Sequence, residues 1–71
     1  MRIKEYHSNF ELFIDKDGET RRILESFDGY RDFTTEENLA AFLEMHDLNR
    51  DDFTDEEFRE LESIINMHSA S

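Results

Sequence analysis

Asn9-Phe10-Glu11-Leu12-Phe13-Ile14-Asp15-Lys16-Asp17-Gly18-Glu19 is the stretch whose reading decides the fold. Phe10, Leu12 and Ile14 alternate with Asn9, Glu11 and Phe13, the period-two pattern of a strand. Asp15-Lys16-Asp17-Gly18 supplies the residue types of a turn between paired strands. The return strand is expected from Glu19 to Phe27, with Arg21, Ile23 and Glu25 on one side and Arg22, Leu24 and Ser26 on the other. Upstream, Arg2 to His7 is compatible with a third strand joined through Ser8-Asn9, although its apolar residues Ile3 and Tyr6 then point to opposite faces. The first 27 residues therefore read as a hairpin or a three-stranded meander.

Beyond the loop Asp28-Gly29-Tyr30-Arg31 the chain repeats itself. Asp32-Phe33-Thr34-Thr35-Glu36-Glu37 is matched twenty residues later by Asp52-Phe53-Thr54-Asp55-Glu56-Glu57. Both are helix starts. Thr34 and Thr54 stand as N-caps, and Glu37 and Glu57 complete capping boxes three residues on. Phe53 and Phe58 also occupy the two positions of a hydrophobic staple, where the first helix has Asn38 in place of Phe58. Leu39, Phe42, Leu43 and His46 follow the spacing of one helical face over residues 35–47, as do Phe58, Leu61, Ile64, Ile65 and His68 over residues 55–68. The expected class is α+β: one domain over residues 1–71, with two amphipathic helices packed on one face of a small antiparallel sheet. Only one sheet face is then covered, so Phe13, out of phase with Phe10, Leu12 and Ile14, points to an apolar docking or self-association patch, expected around Phe13 or Tyr30.

The chain has 71 residues, 19 acids against 8 Lys and Arg, a formal charge of -11, and no Cys, Pro, Trp or Val. Domains of this size bury only about 60% of their unfolded surface, which disfavours a large enzyme with an enclosed site. Absence of Cys excludes disulfides, thiolate metal sites and Cys nucleophiles. No apolar run approaches the roughly 20 residues of a membrane span, and the start Met1-Arg2-Ile3-Lys4-Glu5-Tyr6 lacks the apolar core of a secretory signal, so a cytoplasmic location is expected. Leu, Ile and Phe make 18 of the 71 residues, about 25%, above the roughly 20% below which such charge usually means disorder.

Charge is segregated. Residues 1–24 hold five acids and five bases, whereas residues 25–71 hold fourteen acids and only Arg31, Arg50 and Arg59. Helix dipoles favour acids in first turns, which accounts for Glu36, Glu37, Asp55 and Glu56 at least as well as function does. They account less well for Asp47, Asp51, Asp52, Glu60 and Glu62, which lie past the first turn or in the connection with few bases to neutralise them, and Glu44 shares a helix face with Glu37. Glu37, Glu44, Asp47, Asp51, Asp52, Asp55, Glu56, Glu60 and Glu62 are accordingly the candidate partner-binding residues. A surface so charged suits a basic partner. Direct nucleic-acid binding is disfavoured, because phosphates attract Lys and Arg.

Other chemistry finds little footing. Taking Gly18 as the sixth position of a calcium loop puts Phe13 and Leu24 at the first and twelfth, where carboxylates are required. Starting at Asp47 puts Asp52 at the glycine position and Phe58 at the bidentate position. His7, His46 and His68 have no zinc spacing, and His46 and His68 extend apolar stripes at helix C-termini. No nucleophile elbow or phosphate loop is present, so neither catalysis nor a cofactor is expected.

In size, lack of Cys and layout of charge, the whole chain resembles the small acidic proteins with which bacteriophages disable host machinery, many of them DNA mimics. It is most similar to the host-takeover inhibitors that occupy the DNA-binding surface of the histone-like nucleoid protein HU. Related acidic inhibitors act on restriction enzymes, CRISPR effectors and uracil-DNA glycosylase. The resemblance implies a non-enzymatic viral protein of the host cytoplasm whose acidic residues block a basic DNA-binding protein, while the uncovered sheet face leaves a homodimer open. The alternative is an adaptor that docks through an apolar patch, with the acids serving solubility.

Overall fold

Alternation along the first third of the chain yields three antiparallel strands, β1 (Arg2–Tyr6), β2 (Asn9–Lys16) and β3 (Glu19–Ser26), in the order β1-β2-β3. The computed structural model describes residues 1–7, 9–27 and 32–68. The sheet is thus a three-stranded meander, followed by helices α1 (Thr35–Met45) and α2 (Asp55–His68): an α+β fold. The turn is tighter than the sequence suggests. Lys16 pairs with Glu19, so β2 runs on through Asp15 and Lys16, and only Asp17 and Gly18 make the turn, at φ 56° and 78°. Two successive positive φ values match the twist of a two-residue hairpin, and Asp-Gly is among the few pairs that adopt them readily. The loop 28–31, with Tyr30, lies outside the described residues.

Phe10, Leu12 and Ile14 are fully buried beneath the helices. The Phe10 ring lies 5.4 Å from that of Phe42 on α1, and Phe27 meets Phe42 edge-on at 5.9 Å. Leu61 and Ile65 of α2 are also fully buried. The three residues 64, 61 and 65 with Phe58 form the apolar stripe expected of α2.

Both helix starts form as their sequences require. Thr34 Oγ1 accepts the Glu37 N–H at 3.1 Å while Glu37 Oε1 accepts the Thr34 N–H at 2.9 Å, and Thr54 and Glu57 repeat both bonds at the same distances. The Phe53 and Phe58 rings of the staple sit 6.0 Å apart. At its other end α1 stops at Met45, two residues before the expected Asp47. Asp47 turns left-handed at φ 55°, its N–H donates to Glu44 O, and the Leu48 N–H donates to Leu43 O at 2.9 Å. These are the two bonds of a Schellman termination, with buried Leu48 closing against the helix. A 3-10 turn, Arg50–Asp52, then leads into α2.

The helices are antiparallel, since Thr35 Oγ1 at the start of α1 donates to Asn66 Oδ1 near the end of α2 at 2.8 Å. Contacts from Met1 to Glu57 and from Glu5 to His68 lay α2 along β1, and contacts from Arg21 and Glu25 to His46 lay the end of α1 over β3. Removing one cap hydroxyl should isolate its contribution. Thr54→Ala is expected to destabilise the fold by about 1 kcal/mol, read as a lower urea midpoint at unchanged slope.

Candidate functional site

The basic side chains of the sheet are all engaged. Lys16 Nζ lies 3.1 Å from Asp47 O and 3.3 Å from Asp52 Oδ2, and Arg21 Nη2 donates to His46 O at 3.3 Å. No base stands in the last turn of α1, so these two strand residues neutralise its terminal carbonyls from outside. On the opposite sheet face Arg22 pairs with Glu11, the Arg2 guanidinium covers the Phe13 ring at 4.8 Å, and the Lys4 ammonium sits 5.6 Å from the Tyr6 ring. In the connection Arg50 pairs with Asp55 at 2.5 Å, donates to Phe53 O and stacks 4.1 Å over Phe58.

The nine candidate acids divide accordingly. Glu37 belongs to the α1 capping box, Asp55 to Arg50, and Asp52 to the connection. The Asn49 N–H donates to Asp52 Oδ2 at 2.8 Å, and this bond, reinforced by Lys16, holds the Asp52 carboxyl below its ordinary value. Glu57 is held low likewise, first by the Met1 ammonium and then by the Thr54 N–H. The other six, Glu44, Asp47, Asp51, Glu56, Glu60 and Glu62, are exposed, and none has an ion-pair partner among the described residues.

Helical phase groups them. Glu56 and Glu60, four residues apart, share the flank of α2 away from α1, whereas Glu62 lies on the Asn66 side, nearer α1. Glu44 and Asp47 line an open groove of about 440 Å³ with Ala40, Leu43, Leu48, Asn49 and Arg50, beside the turn that carries Asp51. The acids thus crowd the helix layer and connection. Sequence reasoning missed Lys16 and Arg21 as the groups that hold the end of α1. Their signal was the lack of any base in that helix's last turn.

His46 and His68 are half-buried at the helix C-termini, packed on Phe42 and Phe10 at ring distances of 4.7 and 6.3 Å. Each also meets a sheet carboxylate. His68 Nε2 lies 2.8 Å from Glu5 Oε1, and His46 Nε2 lies 3.0 Å from Glu25 Oε2 but outside hydrogen-bond geometry. Among the described residues no three His, Asp or Glu side chains are gathered as a metal site, and no helix is long and apolar enough to cross a membrane. Phe13 does face away from the helices, but it is half-buried beneath Arg2. Leu24 and Tyr6 are exposed apolar residues on that side of the sheet.

We find no family model, curated protein or solved structure that matches the chain.

The lowered carboxyls fix the acid limb of stability. A group whose folded value is depressed stabilises the fold above its unfolded value and loses that contribution as pH falls through the folded one. The ordinary values are 3.8 for Asp52 and 4.5 for Glu57. Stability should therefore drop as pH is lowered from about 5 towards 2, and Asp52→Asn and Glu57→Gln should each be less stable at neutral pH with a shallower acid decline, read from urea midpoints across that range.

Proposed function

We propose that this chain is a DNA mimic: its acidic helix layer occupies the basic DNA-binding surface of a partner protein and blocks it by occlusion, without catalysis or a cofactor. The nucleoid protein HU is the first target to test. Asp47 carries the reading. It holds a left-handed φ of 55° at a helix C-terminus, where Gly is the favoured residue and where the helix dipole disfavours a negative side chain. Its carboxylate nevertheless stays exposed with no ion-pair partner among the described residues. Local stability argues against Asp here on two counts, so a use for its charge is the better account.

Geometry supports the same conclusion. The molecule is 36 Å along its longest axis, about one turn of duplex at about 34–36 Å. Residues three or four apart on a helix hold carboxylates about 5–6 Å from one another. Lys16 and Arg21 are turned to the end of α1 and the other sheet bases lie on the opposite face, so the six exposed acids, set against the exposed Arg59 of α2, leave the helix layer negative towards a basic cleft. Such encounters are fast and weaken with salt.

The test is displacement of a labelled duplex from purified HU, followed by direct titration at several salt concentrations. The native chain should release the duplex, and a variant carrying Asp51→Lys, Glu56→Lys, Glu60→Lys and Glu62→Lys should bind at least about 100-fold more weakly. Asp47→Gly should stabilise the chain by about 1 kcal/mol while weakening partner binding. Undiminished binding by the four-site variant to any partner that the native chain captures would defeat the mimic reading.

A further inference from the structure

Strand β3 is an edge. The order β1-β2-β3 leaves one side of its eight residues without a strand partner among the described residues. Such an edge is a template for another strand unless it is short, twisted or shielded. Here it is bordered by exposed apolar side chains in both layers. Leu24 projects from the open sheet face at 62% exposure, and Met45, at 60%, stands in the last turn of α1, which Arg21 and Glu25 hold above β3. The other edge, β1, is only five residues long.

Charge selects the occupant. Glu19, Arg21, Arg22 and Glu25 leave β3 neutral in a chain of charge -11, so two copies meet here without local repulsion. Antiparallel pairing of β3 with itself about Ile23 sets Arg21 opposite Glu25 of the second copy, twice by symmetry, and Arg22 opposite Leu24. Centring on Arg22 instead opposes Arg22 to itself and Glu19 to Glu25, while centring on Leu24 opposes Ile23 to Glu25 and gains no ion pair. Opposite charges directly across an antiparallel pair stabilise and like charges destabilise, so the Ile23 register wins. Arg21 and Glu25 point to the helix side, where inward charges repel unmatched strands.

We propose that β3 pairs with β3 of a second copy of this chain across a two-fold axis at Ile23, joining two meanders into one six-stranded sheet. Both helix layers then lie on the same side of that sheet. Met45 is drawn in beside its symmetry mate, and Leu24 packs against the aliphatic stem of Arg22. The proposal stands independently of DNA mimicry, because it uses a neutral strand edge and none of the exposed helix acids.

Sedimentation equilibrium from micromolar to millimolar protein tests it. The native chain should approach twice its 8.6 kDa mass. Leu24→Arg places two like-charged pairs in the interface and should weaken the dimer by at least about tenfold, whereas Leu24→Glu faces Arg22 and should keep it. Leu24 also stands across from Glu11 in its own sheet, so Leu24→Arg should hold or raise the urea midpoint and Leu24→Glu lower it slightly, and loss of the dimer in the more stable of the two variants separates loss of association from loss of fold. A mass of 8.6 kDa throughout, or equal behaviour of the two variants, overturns the proposal.

Discussion

The end of α1 is held by two bases that belong to the sheet. Lys16 and Arg21 reach the carbonyls of Asp47 and His46, and Lys16 also reaches Asp52. Without them the negative end of a helix would face Glu44, Asp47, Asp51 and Asp52 with nothing to offset it. With them, Asp47 can take its left-handed turn, Leu48 can drop into the core, and Asp52 can close the 3-10 turn that launches α2. Sheet and helices are therefore joined by electrostatics at one end and by the Phe10, Phe27 and Phe42 rings in the middle.

That arrangement explains why the chain segregates its charge. Lys16 and Arg21 are turned to the carbonyls at the end of α1 and Arg22 to Glu11, while Arg2 and Lys4 stay exposed on the open sheet face, away from the helices. Exposed ion pairs contribute little energy each. Their larger consequence here is positional, because the acids they leave unmatched are concentrated on the helices and the connection.

Periodicity exposed most of the fold. The alternation of Phe10, Leu12 and Ile14, the paired Thr and Glu of each capping box and the stripe of α2 are local patterns, and local patterns survive folding when the core agrees with them. The misplaced features depend on contacts between distant residues. The end of α1 is set by a turn at Asp47, a residue type that helical periodicity cannot single out, and the hairpin shortens because Lys16 is needed as a strand residue to reach Asp52 across 36 positions of sequence. The candidate surface was legible as composition, but not as a division of labour. Asp52 and Asp55 look identical in sequence to Asp51, and only the placement of Lys16 and Arg50 gives two of them an ion pair and leaves the third without one among the described residues.

A disordered acidic tail would carry the same charge more simply, so the folded scaffold needs a reason of its own. Holding carboxylates close together raises the free energy of the unbound protein through self-repulsion. Under the proposed mimicry a basic partner would relieve that repulsion, and it would not need to order the chain to do so, because the helices have already fixed the acids in place. Binding energy that would otherwise offset lost chain entropy is then expressed as affinity. By linkage such a partner would stabilise the fold that binds it. On this account the marginal stability expected of so small and so charged a domain is a consequence of how its surface is used.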